Sequence, residues 1–167
     1  MSKITNLESL LIDEIRDLYN AETQLIKALP KMAEAASNDE LKEAFEGHLE
    51  ETKDHAERLV KACKLLGESE KGKTCHAMKG LVEEGGEAIK LDAPPAVRDA
   101  DLIGAAQRVE HYEMAAYGCA RAFAIKIGRD DVAQLLDANL KEEGAANKKL
   151  MEIAQIVNDD AYSVIVG

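Results

Sequence analysis

Apolar residues recur at steps of three and four along four long stretches of the chain, the spacing of a helical face turned toward a core. The first stripe is Leu11, Ile15, Leu18, Glu22, Leu25, Leu29, Met32 and Ala36, and the second is Leu41, Ala44, His48, Glu51, His55, Leu59, Ala62 and Leu66. The third is Ile103, Ala106, Glu110, Glu113, Tyr117, Ala120, Ala124 and Ile127, and the fourth is Val132, Leu136, Leu140, Glu143, Asn147, Leu150, Ala154 and Val157.

Breakers and caps set the predicted bounds. Helix one runs from about Asn6 to Ala36, with Thr5 and Glu8 as a capping box. Pro30 should kink it or split off its last turn. Ser37 with Glu40 offers a second capping box, so helix two starts near Asn38, continues to Leu66 and stops at Gly67. The hinge is so short that the two helices form an antiparallel hairpin. A loop over Gly67–Lys73 leads to a shorter helix at about Thr74–Leu91, weakened by three glycines and ended by Pro94 and Pro95. Helix three then spans about Asp99–Ile127, and helix four, capped by Asp130, runs to about Asn158. The expected fold is all-α: one domain over 1–167, with hairpin one at about 6–67, a crossover helix at about 74–91 and hairpin two at about 99–158. A long crossover between two hairpins is the connection of a ferritin-like four-helix bundle.

Each stripe is interrupted by carboxylate in its middle third. Glu22 lies fifteen residues before the Ser37 hinge and Glu51 fourteen after it, so an antiparallel hairpin sets them at one level. Glu113 and Glu143 are related in the same way about the Gly128–Arg129 hinge, and Glu110 is one turn from Glu113. A buried carboxylate costs several kcal/mol when unpaired, and no Lys or Arg stands on any of the four stripes. Two divalent ions would set four positive charges against the five carboxylates. The expected metal ligands are therefore Glu22, Glu51, His55, Glu110, Glu113 and Glu143, with Glu51 and Glu143 as bridges and Glu22 and Glu113 terminal. Any one of these glutamates could instead be a solvated edge residue, because acids such as Glu8, Glu50 and Glu142 are plentiful. His48 reads as a core histidine behind the ligands. Asn147, a weak ligand, reads the same way, and Tyr117 as a packed core tyrosine or a phenol beside the metals.

Composition narrows the partners. The formal net charge is −11, which argues against nucleic acid or an anionic membrane as the main target. No apolar run is long enough to span a membrane, and the first residues lack the apolar stretch of a secretory signal. Three cysteines without a CxxC pattern favour free thiols and a reducing compartment, so the expected location is the cytoplasm.

The segments Asp17-Leu18-Tyr19-Asn20-Ala21-Glu22, His48-Leu49-Glu50-Glu51-Thr52 and Val109-Glu110-His111-Tyr112-Glu113 resemble the YciF-like stress-response family of bacteria, over nearly the whole chain. The resemblance implies a ferritin-like protein with a di-iron site, and the Glu110–Glu113 pair is similar to the double glutamate of rubrerythrin, a di-iron peroxidase. Such sites commonly use Glu-x-x-His on two helices. Here the spacings are Glu51-x-x-x-His55 and Glu143-x-x-x-Asn147, so at least one expected histidine is missing.

The expected cofactor is a pair of metal ions, iron first, with manganese or zinc as alternatives. The expected chemistry is reaction with peroxide or oxygen, or oxidation of ferrous iron. The alternative is a non-enzymatic stress or interaction protein with a structural or vestigial metal site. An electron-donor protein is an expected partner, because no rubredoxin-like CxxC pair is present. A homodimer is expected from the apolar strip Met78, Leu81, Val82 and Ile89 on the crossover helix.

Overall fold

Asn6 opens the first helix: its side chain accepts from the Ser9 amide at 2.8 Å while Ser9 Oγ accepts from the Asn6 amide at 3.1 Å. That reciprocal box replaces the predicted Thr5–Glu8 pair. Helix α1, Leu7–Ala35, continues through Pro30 without interruption. The computed structural model describes residues 4–166; residues 1–3, part of the stretch read for a secretory signal, lie outside it.

At the hinge the cap is Asn38, whose side chain accepts from the Leu41 amide at 3.0 Å, and not Ser37. The amides of Ser37 and Asn38 donate instead to the buried Asp99 carboxylate, at 2.9 and 2.8 Å. A residue of the second hairpin thus fixes the turn of the first. Helix α2, Asp39–Leu65, ends at Gly67, where φ is +73°. The Gly67 amide reaches Lys64 O and the Glu68 amide reaches Cys63 O, the two bonds of a Schellman stop. Gly128, φ +75°, closes the other hairpin in the same way, through Ile125 O and Ala124 O.

Helix α3, His76–Ile89, is capped by Cys75. Helix α4, Pro95–Lys126, starts four residues before the predicted Asp99, because Pro95 suits the first helical position, where no amide bond is lost. Helix α5, Asp130–Val166, runs on beyond the predicted stop at Asn158. No strand occurs among the described residues.

Helix α1 packs on α2 and α4, and α5 packs on α4 and α2, so the ring order is α1, α2, α5, α4. Helix α3 lies across the outside of α1 and α4. Of the apolar strip that suggested a dimer, Met78 is fully buried, while Leu81, Val82 and Ile89 pack against the core and stay partly exposed.

The core is in two parts. One apolar cluster, including Leu11, Ile15, Leu18, Leu59 and Leu136, fills the Gly128 end. The other, including Leu29, Leu41, Phe45, Leu102 and Leu150, fills the Ser37 end and extends beneath α3. Between them the buried residues are polar: Glu22, His48, Thr52, His55, Glu110, Glu113, Asn139 and Glu143.

Candidate metal centre

Four helices supply this polar layer. Helix α1 gives Glu22, α2 gives His48 and His55, α4 gives Glu110 and Glu113, and α5 gives Glu143. Their donor atoms form two groups in which every atom lies within 4.8 Å of the others: His48, Glu110, Glu113 and Glu143, and Glu22, His55 and Glu143. Glu143 belongs to both. His55 Nδ1 is 2.8 Å from Glu143 Oε1 and 3.5 Å from Glu22 Oε1, while His48 Nε2 is 3.4 Å from Glu110 Oε1 and 3.6 Å from Glu143 Oε2.

These approaches are close, yet they leave hydrogen-bonding capacity unused. Glu22 Oε2, His48 Nε2, His55 Nδ1, Glu110 Oε2 and both carboxylate oxygens of Glu113 and Glu143 are buried without a partner in hydrogen-bond geometry. Buried polar atoms are nearly always paired, so one layer with this many orphans is a layer built around a further group. Donor set and charge fit divalent cations. Four carboxylates balance two dications, and two imidazoles complete an oxygen-rich set with some nitrogen.

Each histidine is held from behind by a carboxylate. His55 Nε2 contacts Glu142 Oε2 at 2.8 Å, and Arg58 grips the same carboxylate, with Nη2 at 3.0 Å from Oε1. His48 Nδ1 contacts Glu51 Oε2 at 3.2 Å. A carboxylate can only accept, so the outer nitrogen of each ring carries a proton, and the inner nitrogen would turn a lone pair toward the layer once a cation displaced its own proton. That is the carboxylate–histidine support characteristic of metal ligands. Tyr117, fully buried, donates to Glu22 Oε1 and accepts from Asn139 Nδ2 at 3.0 Å. Asn139 Oδ1 in turn accepts from Arg58 at 2.9 Å.

Without metal the charges are poorly matched. Burial, then repulsion from Glu143 and Glu22, raises the Glu113 carboxyl well above its ordinary range. Burial raises Glu110 as well, against the pull of His48. Glu143 is raised by burial despite the nearby His55 imidazole. Burial pushes the other way on His55, but Glu143 and Glu22 overcome it and lift the imidazole to about 11. The outer acids are lowered: Glu51 by the hydrogen bond from His48, and Glu142, against its partial burial, by Arg58 and His55.

Glu22, His55, Glu110, Glu113 and Glu143 come together where the stripes set them. Glu51 does not: its side chain is 49% exposed and belongs to neither group. The inward face of α2 passes through His48, Thr52 and His55, so Thr52 takes the position assigned to Glu51, and its hydroxyl donates to His48 O at 2.7 Å. The true spacing is therefore Thr52-x-x-His55, with threonine where the common motif has glutamate. His48, read as a residue behind the ligands, stands among them. On α5, Asn139 is buried where the stripe had Leu140, and Asn147 is only partly buried, within 3.4 Å of Gln107. Sequence reasoning missed Arg58 and Asn139 as supports and left the place of Glu142 open. The one signal was that Arg58 and Glu142 adjoin the stripes at His55 and Glu143.

A family profile described as "Domain of unknown function (DUF892)" matches residues 6–162. The chain is 43% identical over 149 residues to Protein YciF of Escherichia coli (strain K12), covering 89% of this chain and 90% of that one. The crystal structure of the E. coli stress protein YciF superposes with a TM-score of 0.90 at 41% identity, over 93% of this chain and 99% of that one. YcfI from Rhodopseudomonas palustris gives 0.85 at 45% identity, over 89% and 95%. A ferritin-like, diiron-carboxylate protein from Bacillus anthracis str. Ames shares the fold, with a TM-score of 0.70 at 16% identity over 90% and 99%. The fold is that of the ferritin-like helical bundles.

Proposed function

The chain belongs to the DUF892 family, and on that premise we propose that it is a stress-response protein with a two-metal carboxylate centre, iron being the metal, which reacts with peroxide or oxygen or oxidises ferrous iron. The observation that carries this reading is the set of unpartnered donor atoms on Glu22, His48, His55, Glu110, Glu113 and Glu143, all in one layer. Glu22, His55 and Glu143 would hold one ion, and His48, Glu110, Glu113 and Glu143 the other, since Glu143 belongs to both donor groups.

A bound pair of ions supplies Lewis acidity toward an oxygen substrate, and in the case of iron its electrons. The chain's own part is to hold the donors. Arg58 and Glu142 orient His55, Glu51 orients His48, and Tyr117 fixes Glu22 by a hydroxyl proton. The two apolar clusters keep water from both ends of the layer. The electron source in this reading is a partner protein, since the sequence has no CxxC pair of the rubredoxin kind.

Crystals soaked in ferrous salt under argon and measured at the iron edge test the centre. Two anomalous peaks about 3.5–4 Å apart are expected, the separation of two-metal sites in general. Absence of any peak between the four helices would remove the reading. A second reading, a structural centre without turnover, is favoured by Thr52 and Ala146, which leave the layer one carboxylate and one imidazole short of two Glu-x-x-His motifs. Iron-loaded protein that consumes neither peroxide nor oxygen, even with a reductant, would favour it.

A further inference from the structure

The layer is sealed at both ends by apolar clusters, but one side is open. A cleft of about 150 Å³ lies between α2 and α5. Its floor is His48 and Glu110, and its walls include Gly47 and Ala146, with Glu51 and Lys149 at the rim. His48 and Glu110 are 7% and 3% exposed, and each lends the cleft floor a side chain with an unpartnered atom, Nε2 and Oε2. The volume has room for several water molecules. Two larger cavities, of about 280 and 390 Å³, are lined by no residue of the layer.

We propose that this cleft is the port through which divalent metal ions reach the centre. The proposal rests on the two-metal reading above. A dication arriving from solvent meets the half-exposed Glu51 carboxylate, then the His48–Glu110 floor, and so fills the group of His48, Glu110, Glu113 and Glu143 first. Glu143, shared by both groups, then passes it toward Glu22 and His55. The walls are low where the ion must pass. Gly47 has no side chain, and Ala146 stands one turn from Glu143 on the face where a histidine would otherwise close the gap. The net charge of −11 attracts cations, and Lys149 is the one lysine or arginine among the cleft residues.

A port acts on rates and a ligand acts on affinity. Narrowing the passage raises one barrier that is crossed in both directions, so loading and unloading slow by the same factor and the equilibrium does not move. Gly47→Leu suits the test, because a Cβ at Gly47 meets no heavy atom within 4 Å and leucine is a better helix former. Ala146→Leu narrows the cleft from the opposite wall. Rapid mixing of chelator-treated protein with Co2+ follows loading by the visible absorption of the ligated ion, and excess chelator follows release. Both rates are expected to fall by about tenfold or more in whichever variants fold, a barrier higher by about 1.4 kcal/mol, with saturation content unchanged. Lys149→Glu is expected to load faster than the parent at low ionic strength and at the parent's rate in high salt.

Unchanged rates in the folded leucine variants would overturn the port, as would weaker binding without slower loading. A parent protein that develops no Co2+ absorption at all would instead overturn the metal centre itself, which separates the two failures.

Discussion

Glu113 has both carboxylate oxygens buried and unpartnered, and burial with three acidic neighbours holds its proton on well above the ordinary carboxyl value of 4.5. Between that value and the raised one, the folded protein binds a proton that the unfolded chain has released, so this group lowers stability as pH rises. His55 acts in the same direction: its contribution is full below 6.5 and is lost as pH climbs toward about 11. In chelator, Glu113→Gln should therefore melt at or above the parent at pH 8, by up to about 1–3 kcal/mol, with the advantage shrinking toward pH 5. With a divalent ion present the order should reverse, because ligation adds stability only where the ligand remains. Melts of both proteins at the two pH values, with chelator and with Fe2+ under argon, measure it; a variant less stable than the parent in every condition would make Glu113 a packing residue. The positions of Glu22, His55, Glu110, Glu113 and Glu143 were legible in sequence because an acid or histidine inside an apolar stripe is costly to bury unless something pairs with it or binds it. Glu51 misled for a geometric reason. From His48, steps of three and of four both stay on one helical face, and a carboxylate is a better metal ligand than the hydroxyl of Thr52. The role of Glu51 lies outside the ring of donors, in the tautomer of His48.

On helix α2 that one-residue difference puts a hydroxyl where the common motif has a carboxylate. Thr52→Glu restores Glu-x-x-His and adds a carboxylate to a layer already rich in them. The metal-free variant should lose on the order of 2 kcal/mol or more, the cost of another desolvated charge. Its affinity for Co2+ should rise tenfold or more, a gain of about 1.4 kcal/mol per decade. Isothermal titration and chelator melts give the two numbers, and an affinity equal to the parent's would mean that position 52 does not face the ions. The helices themselves were readable because capping residues, Gly67, Gly128 and the proline pair act locally. What could not be read was the tertiary cap. Asp99 holds the Ser37 and Asn38 amides from 62 and 61 residues away, and no local rule connects them. The extension of α5 past Asn158 was hidden as well, since a helix with Ile156, Tyr162 and Val164 exposed shows no one-sided stripe.

For the molecule as a whole, the crossover helix leaves part of its apolar strip uncovered: Met78 is buried, while Leu81, Val82 and Ile89 are partly exposed and line a cavity of about 280 Å³. We propose that a homodimer forms through this strip. Light scattering at micromolar concentration should give twice the chain mass; a parent of single-chain mass would end the proposal.

Because the apolar core is split by a layer of charge, the two ends of the bundle are joined through acids that repel one another until something binds between them. Local openings in proteins follow such seams. In chelator, backbone amides around Leu18 and Leu136 should exchange with solvent deuterium on a different timescale from those around Leu41 and Leu150, as two weakly linked foldons. Once the layer is filled, both ends should share one slower rate, set by unfolding of the whole chain. Mass spectrometry of labelled peptides would register the merger, and ends that already exchange together in chelator would show that the helices alone weld the bundle.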